Sequence, residues 1–311
     1  MKQTASMYRL TALNPLLRRR QWSWRTVAFI AIAIVATLLV AMLNPRQVLA
    51  YDVAIQPASP QQGDTVSIFV TANAGATQVP TVTVNGEIYP TFAIGGDRYR
   101  TFVPSSPLHN PGRYVIQVTG AEPPRNPAFW LDRRSFQVQR ITLSASAAGI
   151  EGTDHEFDRV QAFKDTLSPT KYWTGPFQRP SQGRVSSEYG VRRYYNGVFA
   201  DDYYHRGIDY AAATGSPVVA PAAGRVTLVG RVANGFELHG NTIGIDHGQG
   251  VGSIFIHLNS IAVNEGDMVQ AGQTIGTIGS TGASTGPHLH WGVYVNGVAV
   301  DPGPWRNGGM E

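Results

Sequence analysis

Between residues 65 and 118, apolar and polar side chains alternate in short runs. Thr65-Val66-Ser67-Ile68-Phe69-Val70 and Thr81-Val82-Thr83-Val84 place a branched apolar residue at every second position. A period of two puts those side chains on one face of a strand. Asn85-Gly86 follows the second run, a pair suited to the positive φ angles of a tight hairpin turn. Further runs at 98–103, 113–118 and 135–143 continue the series. Short strands at this spacing predict a small β-sandwich over residues 51–143. The period then changes. After a stretch of small residues at 144–149, Phe157, Val160 and Phe163 recur at helical spacing, with Thr153 placed to cap. A helix over 156–167 is expected, inside a linker of residues 144–176. From Phe177 to Trp305 the chain reads as β again and is rich in glycine, with strands expected at 224–229, 241–246, 253–257, 274–278 and 288–295. Asn296-Gly297 turns the last of these into a return strand at 298–300. Glycines between short strands fit tight turns around a groove.

One segment carries neither period. Residues 27–43 form 17 uncharged positions of which only Thr37 is polar. That is the lower limit for a membrane-spanning helix and long for a signal-peptide core. Six basic residues precede it, which keeps the N-terminus cytoplasmic and exports the remainder. Val48-Leu49-Ala50 departs from a strict cleavage site, so residues 1–50 read as either a retained anchor or a cleaved leader. Both place residues 51–311 in the cell envelope. Retention leaves them in the periplasm, held to the inner membrane; cleavage secretes them.

Composition and charge narrow the function. The 311 residues are 42% hydrophobic and 15% charged, the balance of a globular chain. Cysteine is absent, so a metal site must be built from His, Asp or Glu. The pI near 9.4 misleads. Residues 1–50 hold seven basic groups and no acid, which leaves 18 basic against 21 acidic groups beyond them. The exported part is weakly acidic, and nucleic-acid binding loses its electrostatic basis.

The candidate chemistry lies near the C-terminus. Six of the eight histidines fall between residues 205 and 290. In Gly286-Pro287-His288-Leu289-His290-Trp291 the two histidines share one face of a strand. Upstream stands His205-Arg206-Gly207-Ile208-Asp209. A histidine pair with a further His and a carboxylate suits a zinc site, which takes three protein ligands and keeps a position for water. His257 ends another expected strand. His109 reads as a solvated loop residue, His155 as surface, and His239 and His247 as structural. Glu265 to Gln273 resembles a biotinyl-type strand pair, but no lysine follows Lys171, so a carrier role is excluded.

These motifs occur in a characteristic order with Val185-Ser186-Ser187-Glu188-Tyr189-Gly190-Val191-Arg192-Arg193, Gly215-Ser216-Pro217-Val218-Val219-Ala220, Asp246-His247-Gly248 and Gly279-Ser280-Thr281-Gly282. Over residues 177–305 the sequence resembles the lysostaphin-type (LytM-like) zinc metalloendopeptidases, which cut peptide bonds in bacterial peptidoglycan. The resemblance implies a mostly β protein whose residues 177–311 form a glycine-rich antiparallel β catalytic domain. It implies one Zn2+ per catalytic domain, with His205, Asp209 and His290 as metal ligands and His257 and His288 as catalytic histidines. Peptidoglycan is the implied partner, with the membrane as a second if residues 1–50 are retained. Two positions depart from the family pattern: Phe255 replaces a common Tyr, and Gly292 a common Glu. Phe255 and the added sandwich leave open a non-catalytic alternative, a wall-binding protein or an activator of another wall hydrolase.

Overall fold

The computed structural model describes residues 51–72, 79–119, 127–142, 150–308 and 310. The apolar run at 27–43 lies outside the described residues. Among the described residues no helix is long and apolar enough to cross a membrane.

The first eight strands form two antiparallel sheets. They are β1 (Asp52–Gln56), β2 (Thr65–Thr71), β3 (Val82–Val84), β4 (Glu87–Tyr89), β5 (Thr91–Gly95), β6 (Arg98–Pro104), β7 (Gly112–Val118) and β8 (Ala128–Leu131). The sheet orders are β1-β2-β6-β5 and β4-β3-β7-β8. Asn85 and Gly86 take φ of 49° and 90°, the geometry of the expected hairpin turn. Val66, Ile68, Val70, Val82, Val84, Ile116 and Leu131 fill the space between the sheets.

The alternation in β2 implied one covered and one open face, yet six of its seven residues are buried. The second face of this sheet docks on the C-terminal half. Phe102 of β6 belongs to the larger core, with its ring 5.6 Å from Trp305 and 6.3 Å from Trp173. Arg100 lies buried over Phe102 and hydrogen-bonds Gln249. Trp305 Nε1 donates to Thr65 Oγ1 at 3.2 Å, and Arg134 pairs with Asp301 at 2.6 Å.

The strand expected at 135–143 is shorter, β9 (Val138–Ile141). It pairs in parallel with β11 (Arg192–Tyr195), far along the chain. The helix is α1 (Asp154–Lys164), capped by Thr153, whose hydroxyl accepts from Glu156 N at 3.1 Å. Its buried face differs from the expected one: Val160 and Phe163 are inside, but Phe157 is 48% exposed and Glu156 is buried. Position 156 is occupied by a carboxylate because loop amides need a partner there, as described below.

The remaining strands are β10 (Arg184–Ser187), β11, β12 (Val198–Phe199), β13 (Ile208–Ala211), β14 (Pro217–Val219), β15 (Gly224–Gly230), β16 (Asn241–Gly248), β17 (Val251–Ile261), β18 (Met268–Val269), β19 (Thr274–Ile278), β20 (His288–Val295) and β21 (Val298–Val300), followed by α2 (Pro302–Asn307). The main sheet runs β10-β13-β20-β17-β16-β15-β18, with β19 joined to β17 and β14, and β21 to β20. β20 lies between β13 and β17, so residues from three distant segments meet at its first turn of chain.

Candidate metal centre

β13 and β20 pair antiparallel with Asp209 opposite His290 and Ala211 opposite His288. On the other side of β20, Ile256 of β17 stands opposite His290, which brings His257 alongside. His205 reaches the same point from the loop before β13. Gly207 permits this approach: a Cβ there would lie 2.3 Å from the Trp291 carbonyl oxygen and 2.8 Å from His290 Nε2. Any side chain would push the His205–Asp209 segment off β20.

Three donor atoms converge. His205 Nε2, Asp209 Oδ1 and His290 Nδ1 are 2.9–3.0 Å apart in every pair. All three residues are at least nine-tenths buried. His205 Nδ1 donates to the Glu188 carbonyl at 2.7 Å, so in the neutral ring Nε2 presents a lone pair towards the carboxylate. Burial pulls the His290 imidazole down to about 4, with the Asp209 carboxylate opposing. Burial pushes the Asp209 carboxyl up, but the adjoining His205 and His290 outweigh it and hold the group well below the ordinary carboxylate range. Neutral rings supply at most one proton to these three facing acceptors. A divalent cation satisfies all three, and tetrahedral ligands at zinc distances stand about 3.3 Å apart, close to this spacing. Among the described residues these are the His and acidic groups gathered tightly enough to hold a metal.

His257 and His288 face the same centre. His257 Nδ1 donates to the Thr281 carbonyl at 2.8 Å and His288 Nδ1 to the Gly286 carbonyl at 2.8 Å. Each neutral ring therefore keeps Nε2 as its free lone pair. His288 Nε2 stands 3.9 Å from Asp209 Oδ1, and the two ring centroids are 4.8 Å apart. Burial, and then the neighbouring imidazoles, hold His257 down to about 3, so it is neutral near pH 7. Its backbone is unusual, with φ of 65°, a left-handed conformation that costs a non-glycine residue about 1–3 kcal/mol. The five histidine and aspartate side chains border one open cleft of about 640 Å³.

Residues 203–302 match the sequence model of Peptidase family M23. The chain is 35% identical to the catalytic domain of the antimicrobial peptidase lysostaphin from Staphylococcus simulans, over 90% of that chain and 39% of this one, with a TM-score of 0.34. Residues 203–302 are a Peptidase family M23 domain. A crystal structure of a putative peptidase M23 from Pseudomonas aeruginosa is 26% identical, and the likeness covers 79% of this chain and 93% of that one, with a TM-score of 0.57. The M23 fold it shares with this chain thus takes in more than the segment that matches the family. Over 119 residues the chain is 42% identical to the DD-carboxypeptidase/endopeptidase Mpg of Neisseria meningitidis serogroup B, covering 38% of this chain and 26% of the relative. It spans about a quarter of the length of the curated relatives it matches.

Against the M23 pattern, the two departures have structural explanations. Phe255 is fully buried in the core, while Ile254 and Ile256 line the cleft. A hydroxyl at position 255 would not border the reacting groups. At Gly292 a Cβ would lie 2.8 Å from the Arg206 carbonyl oxygen, so a glutamate would displace the segment that carries His205.

One residue of consequence was not evident from the sequence. The Glu156 carboxylate accepts from the backbone N–H groups of Glu237, Leu238 and His239 at 2.6–3.1 Å, and pairs with His239 Nδ1 at 2.7 Å. The His239 carbonyl in turn accepts from His257 N–H at 3.0 Å. A linker-helix carboxylate thus anchors the loop that holds His257 in its left-handed conformation. The only signal available was an acid in the first turn of a helix, which dipole effects alone explain. His247 has the structural role expected of it, donating to the Ala223 carbonyl and bonding Ser253 Oγ, both at 2.9 Å. His155 is exposed as expected. His109 is not solvated: it is half-buried, with Nδ1 2.8 Å from Ser106 Oγ, because its loop folds against the C-terminal half.

Proposed function

We propose that this chain is a zinc-dependent endopeptidase that hydrolyses peptide bonds in bacterial peptidoglycan. The observation that carries it is the meeting of three donor atoms within 3.0 Å of one another beside two imidazoles with free Nε2 atoms. In this reading His205, through Nε2, Asp209, through Oδ1, and His290, through Nδ1, hold one Zn2+. Bound there, zinc supplies a Lewis acid for the scissile carbonyl and lowers the pKa of a water towards about 7. His257 and His288 do the proton work: one Nε2 accepts a proton from the attacking water and then delivers it to the leaving amine, and the other ring, when protonated at Nε2, donates to the developing oxyanion. Their Nδ1 bonds to backbone carbonyls fix both tautomers and aim both rings into the cleft.

In the organisation we propose, residues 1–50 are an anchor or leader, 51–143 an accessory β-sandwich, 144–176 a linker with a helix and 177–311 the metallopeptidase. The chain then works in the cell envelope. Purified full chain incubated with wall sacculi should release new amine termini, and a chelator should stop the release. Binding to sacculi with no release, equal in wild type and His288→Ala, would instead favour a non-catalytic wall-binding protein.

A further inference from the structure

Beside the cleft lies a second cavity of about 580 Å³, between the sandwich loop at 106–110, the C-terminal end of α1 and the β20–β21 hairpin. Its walls carry the cations Lys164 and Arg206, the imidazole of His109, and the rings of Tyr114, Tyr204 and Tyr294. Among the described residues no carboxylate lines it. Arg206 and Tyr294 also line the catalytic cleft, so the two spaces adjoin at the residue next to His205.

The two cations are held near each other against their repulsion. Burial first, and then Arg206, lower the affinity of Lys164 for its proton. Asp165, the acid that opposes this, is engaged by Gln161 Nε2 at 2.8 Å. Lys164 Nζ stands 5.4 Å from the centroid of the Tyr294 ring, and Arg206 Cζ 5.2 Å from that of Tyr204. Aromatic faces steady both cations without neutralising them. The Tyr114 and Tyr204 hydroxyls already donate to the Asn110 and Ala299 carbonyls, so it is the two cations that suit this concave wall to an anion.

We propose that this cavity is a substrate subsite, in which Arg206 and Lys164 bind a free carboxylate of the same peptide that occupies the catalytic cleft. The proposal rests on the peptidase reading given above, and adds to it a preference for acidic over amidated peptides. It also gives the sandwich a part in recognition, because His109 and Tyr114 close the far wall.

The test uses the full chain and two cross-linked stem-peptide dimers, one with free carboxylates and one with those carboxylates amidated. A charge-assisted contact of this kind should favour the free acid about tenfold in kcat/KM, chiefly through KM. In Lys164→Gln the ratio should collapse towards one, and in Lys164→Arg it should be kept. A ratio near one in the wild type, or an unchanged ratio in Lys164→Gln, overturns the subsite. If the zinc-loaded chain cleaves neither dimer, it is the peptidase reading that fails. Calorimetry of both dimers in chelator then decides the subsite by the same ratio, taken between dissociation constants.

Discussion

The sandwich and the main sheet are both antiparallel β, yet they bury different things. The sandwich core is apolar, aliphatic side chains with Tyr51 and Phe129, and among its described residues no His or acid is fully buried. The main sheet buries His205, Asp209, Asp246, His247, His257 and His290 in one half of the molecule. Buried ionisable groups cost stability unless paired or bound to a metal. The core of the first region therefore bears no such cost, whereas the second gives up stability to hold acceptors close together. Such groups in a cleft mark a site of chemistry. The two regions meet through Arg100, Phe102 and Trp305, so the stable one braces the costly one.

This contrast can be broken most sharply at the donor triangle. Asp209→Ala should bring metal content from one per chain to near none and lower wall-hydrolysis rates about 10⁴-fold or more, while the sandwich stays folded by circular dichroism. His288→Ala should keep the metal and lower kcat by about 10²–10⁴-fold, a split that metal analysis and kinetics resolve together. Phe102→Ala tests the brace: unfolding in denaturant should lose about 3–5 kcal/mol, with the metal still bound in the folded fraction. Acid should weaken the main sheet next. The folded pKa of His247, near 4, lies below its unfolded value of about 6.5, so the unfolded chain binds the proton first. Its contribution is complete above pH 6.5 and is lost as pH falls towards 4, about 3 kcal/mol in all. A pH series of unfolding midpoints checks this, and His109 of the sandwich, whose imidazole burial also holds below its usual value, adds a slope of the same sign. The smallest expected effect is at Glu156→Gln, which keeps the volume but faces three backbone donors with an amide. It should cost about 1–3 kcal/mol and reduce kcat, seen as a shifted His257 resonance with metal content unchanged.

Much of this was legible in the linear chain. Period-two runs located the sandwich strands, Asn85-Gly86 and Asn296-Gly297 located hairpins, and Thr153 marked a helix start, because each is a local effect of backbone sterics and capping. The candidate site residues were legible because His205, Asp209, His257, His288 and His290 stand in motifs whose chemistry is unusual for a β-core. Less visible was anything that depends on what packs against a face. Phe157 looked like core and is exposed, since only the neighbour of α1 decides which stripe is covered. β2 looked half-open and is covered on both sides. The run at 135–143 reads as a sandwich strand, yet its ordered part, β9, pairs with β11, because strand partners are chosen by non-local geometry.

By itself, the order of residues determined the β character of the chain, the positions of its turns and the residues able to bind a metal, all of which follow from side-chain chemistry and local periodicity. Only the tertiary structure decided that His290 Nδ1 and His205 Nε2 would face Asp209, that Glu156 would anchor the loop behind His257, and that Lys164 and Arg206 would line one cavity. Those outcomes depend on distances between segments far apart in the chain, and such distances exist only once the sheets have packed.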